Sequence, residues 1–156
     1  MVAVDTRLFG KIEIEDEKVI TFERGMIGFP ELTKFTLIYN SEKEQSNIRW
    51  LQSLEDGSMA FPIIDPICIV DEYNPMVKDD LMARLGEYDS LEDLAVGLVM
   101  RIPENIEDMS VNMKAPVVIN TKNKKAVQII VEGDYQVRQP IYKILQDRKE
   151  SERIVK

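Results

Sequence analysis

The sequence predicts a mainly β fold: a single antiparallel β-barrel-like domain, partly open, with one to three short helices. Three observations carry that expectation. About nine short runs of β-branched and aromatic residues recur along the chain, turn residues separate them at regular spacing, and helical periodicity is weak. A length of 156 residues suits one domain and falls short of two, and 44% hydrophobic content supplies a core without disulfides or metals as staples.

The elements follow in chain order. Lys11-Ile12-Glu13-Ile14-Glu15 alternates with a period of two, and Val19-Ile20-Thr21-Phe22 resumes after the acidic turn Asp16-Glu17, so the pair reads as a hairpin. Residues 35–39, 49–54, 59–64 and 67–70 are further strand candidates, with Glu55-Asp56-Gly57 as a turn between two of them. Pro62 and Pro66 lack a ladder donor, which places their runs at edges or bulges. Residues 94–102, 116–120 and 126–131 complete the set, and Asn123-Lys124-Lys125 turns the chain before the last. The best helix candidate covers residues 78–85: Asp79 and Asp80 suit a first turn, Leu81, Met82 and Leu85 make an apolar stripe, and Gly86 stops it. Ser90 with Asp93 three residues on marks a second helical turn, and residues 140–147 a third. No repeat or linker marks a boundary, so residues 1–145 are expected to form one domain and 146–156 a charged C-terminal tail.

Charge is distributed unevenly. Residues 71–108 hold eleven acids and three bases, a net of −8, which is the net charge of the whole protein; elsewhere acids and bases balance. Such asymmetry within one domain points to a basic partner, against the plainer reading of a solvated face that keeps the protein soluble. Phosphate backbones reward Lys and Arg, so direct nucleic-acid binding is disfavoured. The longest unbroken apolar stretches are about four residues, far below the roughly 20 of a spanning helix, and no secretory leader is visible. A cytoplasmic protein without a membrane segment is expected.

Catalysis finds little support. The absence of histidine removes triad-type nucleophile activation, histidine base chemistry and the commonest transition-metal ligand. No spacing singles out one carboxylate among the acids of residues 71–108. Gly25-Met26-Ile27-Gly28-Phe29-Pro30 has no Lys-Ser/Thr and runs into another strand, so it is a turn rather than a phosphate loop. The acids also miss the register of a calcium loop, and neither metal nor cofactor is expected. Cys68, within an apolar run, reads as a small buried hydrophobe, and Trp50 reads as core or as an interface anchor.

Three segments are specific enough to suggest a family. Ile20-Thr21-Phe22-Glu23-Arg24-Gly25-Met26-Ile27-Gly28-Phe29-Pro30, then Trp50-Leu51-Gln52-Ser53-Leu54-Glu55-Asp56 leading to Phe61 and Pro66, then Met113-Lys114-Ala115-Pro116-Val117-Val118-Ile119-Asn120 followed by Gln128, Tyr135 and Arg138-Gln139-Pro140, resemble the bacterial flagellar assembly factor FliW family over roughly residues 3–145. Met113 and Met26 depart from the residues more usual there, which touches packing only. The resemblance implies a non-enzymatic cytoplasmic protein, monomeric alone, that binds newly made flagellin and, alternatively, the translational regulator CsrA, a small basic RNA-binding dimer. It implies that CsrA is antagonised apart from its RNA surface, which relieves repression of flagellin translation. With the charge asymmetry, it designates Asp71, Glu72, Asp79, Asp80, Glu87, Asp89, Glu92 and Asp93 as the face for CsrA. Phe29 and Trp50 are the aromatic candidates for flagellin. The alternatives are a small β-barrel module for single-stranded nucleic acid, which the charge balance opposes, and an acidic hydrolase, which no motif marks.

Overall fold

The computed structural model describes residues 1–39 and 47–155, and side chains as far as Lys149. Its strands are β1 (Val2–Thr6), β2 (Gly10–Ile14), β3 (Ile20–Phe22), β4 (Lys34–Tyr39), β5 (Ile48–Ser53), β6 (Ala60–Ile64), β7 (Leu94–Arg101), β8 (Ser110–Val111), β9 (Val117–Asn120), β10 (Lys125–Gln128) and β11 (Gln139–Pro140); its helices are α1 (Asp79–Met82) and α2 (Tyr142–Val155). Seven strands, in the order β7-β6-β5-β4-β3-β10-β9, form a barrel that β9 closes by pairing back onto β7. The mainly β, barrel-like domain is as the sequence predicts, but closure is complete rather than partial. The long strand β7 makes this possible, since Leu94–Gly97 pair with β9 while Leu98 and Val99 pair with β6. All barrel pairings are antiparallel except β3 with β10, where Thr21 lies opposite Lys125.

Side chains fill the barrel, as a small barrel requires. Phe22, Phe35, Leu51, Ile63, Val117, Ile119 and Ala126 point inward, and Phe35 meets Phe22 and Phe61 with ring centroids 5.2 and 6.0 Å apart. Two further clusters lie outside the wall. On β9 and β10 the alternate residues Val118 and Val127 pack with Ile129, Val131 and Leu85 beneath residues 77–85. On β6, β7 and β8, Ile64, Leu98, Met100 and Val111 pack against Ile141, Ile144 and Leu145 at the start of α2. Both faces of β9 are therefore covered, and all four of its residues are buried.

Several local expectations change. The expected hairpin of residues 11–22 does not form: β2 pairs with β1, and Asp16–Lys18 is a 3₁₀ turn leading to β3. Residues 67–70 are not a strand. Pro66–Cys68 is a 3₁₀ turn because the Asp65 carboxylate accepts from the Ile67 N–H at 3.1 Å and Pro66 takes the first helical position, a start signal that outweighs the β-branched content. Pro62 sits in a central strand, which it tolerates because the β6–β7 ladder begins only at Ile63. The helix of residues 78–85 divides into α1 and a 3₁₀ turn, Ala83–Leu85. The final helix extends to Val155, so it runs through residues 145 and 146 where the domain and tail were expected to part; the end of that tail lies outside the described residues. No helix among the described residues is long and apolar enough to cross a membrane.

Candidate partner-binding surface

The acidic segment is fastened to the outside of the barrel. Leu85, fully buried, plugs the β9–β10 face. Buried Asn120 then ties the chain down: its Nδ2 donates to Leu85 O and Glu87 O, both at 3.0 Å, and its Oδ1 accepts from the Lys122 N–H at 3.0 Å. Asn123 Nδ2 adds a second bond to Leu85 O at 2.9 Å. Between those two carbonyls Gly86 takes φ +73°, and a Cβ there would lie 2.8 Å from Asn123 Nδ2, so glycine is required. Upstream, the half-buried Tyr73 hydroxyl donates to Met113 O at 2.6 Å and its ring meets Tyr135 edge-on; burial, with a smaller contribution from Tyr135, raises its pKa well above the usual phenol value. Asn120→Ala leaves Glu87 O without its donor and Leu85 O with Asn123 alone, and is expected to cost about 1–3 kcal/mol. Calorimetric melting checks this, and protease nicking within residues 71–93 should increase.

The eight predicted acids divide into two groups. Asp71, fully exposed, pairs with Arg148 of α2 at 3.0 Å, and the same guanidinium donates to Ile67 O at 2.8 Å. Asp89 and Asp93 share Lys122. Asp93 also closes the predicted start signal, accepting from the Asp89 and Ser90 N–H groups while Ser90 Oγ caps the 3₁₀ turn Leu91–Asp93. Partial burial opposes ionisation of Asp93, yet those N–H groups and Lys122 together hold its carboxyl below the ordinary carboxylate range. Glu72, Asp79, Asp80, Glu87 and Glu92 are exposed and make no ion pair among the described residues. Two cations therefore serve three of the eight carboxylates, and the other five have no paired cation among the described residues.

The two aromatic candidates lie apart from these acids. Half-buried Phe29 packs on the barrel core, its ring 5.4 Å from Phe61. Half-buried Trp50, on the outer side of β5, takes Phe9 from the turn between β1 and β2 edge-on at 6.2 Å. A feature not read from the sequence is the convergence of the Gly25–Pro30 turn, Ala115 and Gln128 at one barrel mouth. The Gln128 side chain bridges them, accepting from the Ile27 N–H at 2.9 Å and donating to Ala115 O at 3.1 Å. A separation of 101 residues hides that contact from any local pattern.

Comparison with known proteins bears on all three segments. The family described as FliW protein matches residues 3–141. The flagellar assembly factor FliW of Lachnoclostridium phytofermentans is 40% identical over 151 residues, 96% of each chain. The protein of the same name from Lachnospira eligens is 38% identical over 144 residues, 91% of this chain and 95% of its own. In shape the chain is similar to a crystal structure of the flagellar assembly factor FliW, with a TM-score of 0.81 at 24% identity, over 88% of this chain and 95% of that one.

Proposed function

This chain belongs to the FliW family, and from that premise we propose that it is a non-catalytic, cytoplasmic flagellar assembly factor that binds two partners in turn, newly made flagellin and the basic regulator CsrA. While flagellin waits unexported it occupies the protein, and CsrA stays free to repress flagellin translation. Export empties the protein, which then takes up CsrA and lifts repression. What carries the CsrA half of this reading is the set of five unpaired carboxylates, Glu72, Asp79, Asp80, Glu87 and Glu92, on a segment tied to the barrel. A fixed surface of one sign steers a basic partner and selects its orientation. Asp71, Asp89 and Asp93 belong to the same surface but already hold a cation. Phe29 and Trp50 remain the aromatic residues proposed for flagellin. Trp50 is the more accessible to test, since its ring contact is with a surface hairpin rather than the barrel core.

Salt tests the electrostatic part. Affinity for CsrA is expected to fall roughly tenfold between ~0.1 and ~0.5 M salt, because exposed charge pairs are screened beyond about 10 Å at the lower value and sooner at the higher. RNA oligomers titrated under the same conditions are expected to give no binding. A salt-independent CsrA affinity, or binding to RNA alone, contradicts the proposal.

A further inference from the structure

At the end of β10 and through residues 129–131 beyond it, the backbone pairing on one side has a gap. The N–H groups of Ile129 and Val131 turn to one side, donating to Pro116 O and Lys114 O at 3.1 and 2.9 Å. The alternate groups turn to the other. On that side the parallel ladder with β3 ends where Ala126 lies opposite Phe22, and farther along the Glu132 N–H donates to Met76 O at 3.0 Å. Between those two points the N–H groups of Gln128 and Ile130 meet no acceptor among the described residues.

The neighbouring chain turns aside from this edge. At Gly25, φ is +68° and a Cβ would lie 2.5 Å from Phe29 O, so only glycine permits the tight turn that leads away from β3. A cleft of about 270 Å³ remains between the turn and β10. Arg24 and Arg84 line it with Glu23, and neither arginine has an ion-pair partner among the described residues. The cleft thus carries one excess positive charge in a protein whose net charge is −8. Ile27, Ile130 and Met76, exposed by 51, 60 and 72%, adjoin the same stretch: Ile27 bonds to Gln128, Ile130 is two residues beyond Gln128, and Met76 caps the far end of the gap.

We infer that this edge takes an extended segment of another protein as an added strand. Its carbonyls accept from the Gln128 and Ile130 N–H groups, its apolar side chains cover Ile27, Ile130 and Met76, and an acidic side chain enters between Arg24 and Arg84. A second copy of this chain fits less well, since a two-fold contact would bring both pairs of arginines to one interface. This surface borders the acidic segment, which contributes Met76 and Arg84 to it, but uses none of that segment's carboxylates, so the inference stands whether or not CsrA binds them.

The test selects random linear peptides on phage against the full chain. Selected sequences are expected to alternate apolar residues around an Asp or Glu. A synthetic copy of the strongest should shift the Gln128 and Ile130 signals in an amide NMR spectrum and slow their hydrogen exchange. The double variant Arg24→Glu, Arg84→Glu is expected to weaken it at least tenfold, and Ile130→Pro, which removes an outward donor, about tenfold. If Ile130→Pro loses its melting transition, the arginine variant and the amide signals decide. Selection without an acidic–apolar pattern, binding that leaves both amides unchanged, or affinity insensitive to the arginine variant overturns the inference. Self-association that protects those amides without peptide assigns the edge to a second copy and overturns it as well.

Discussion

Replacing Asp79, Asp80, Glu87 and Glu92 together by lysine is expected to weaken CsrA binding at least a hundredfold, about 3 kcal/mol, because attraction for a basic partner becomes repulsion at four points. The same variant is expected to fold normally. The four side chains are exposed and unpaired among the described residues, and substitutions at such positions usually stay within about 0.5 kcal/mol each. Titration calorimetry of wild type and variant, each with its melting curve, separates lost binding from lost structure. Lysine at Asp71, Asp89 and Asp93 is a poorer probe, since it sets a new cation beside Arg148 or Lys122 and disturbs the segment it is meant to report on. Unchanged affinity in the four-lysine variant sinks the acidic-face account.

Phe35→Ala is expected to cost about 3–5 kcal/mol, the range for emptying a large aromatic site in a packed core. For a chain of this size that lowers the melting midpoint by about 6–20 °C. The site has little room to collapse: Phe35 is fully buried and its ring lies between those of Phe22 and Phe61, with Phe29 beyond Phe61. A loss below about 1 kcal/mol contradicts this description of the core. The connected rings also govern how a flagellin-binding experiment is read. Phe29→Ala removes a core contact and so lowers stability along with any affinity, whereas Trp50→Ala gives up its ring contact with Phe9 outside the barrel.

What the sequence conveyed was local. The β-branched and aromatic runs at residues 35–39, 49–54 and 126–131 located barrel strands because those side chains suit a pleated wall whatever the topology, although the last strand ends at Gln128 rather than Val131. The Ser90–Asp93 signal became a capping box because both partners lie within one turn. Residues 67–70 failed since the Asp65-Pro66 start competes with β-branched content, and the two are close in strength. The hairpin of residues 11–22 failed because β2 had an alternative partner in β1, whose five residues carry little pattern of their own. The acids were legible one by one, but their state was not. Arg148 reaches Asp71 across 77 residues and Lys122 reaches Asp89 across 33, and only the closed barrel brings them together. The pairing gap at the end of β10 was equally invisible, since it depends on where β3 stops.

The central claim is a switch between two partners, and titration calorimetry of the purified protein with CsrA, repeated with excess flagellin present, tests it most directly. The account expects binding to each partner alone and loss of the CsrA signal once flagellin is bound. CsrA binding that flagellin leaves unchanged, or no binding of either partner, contradicts it.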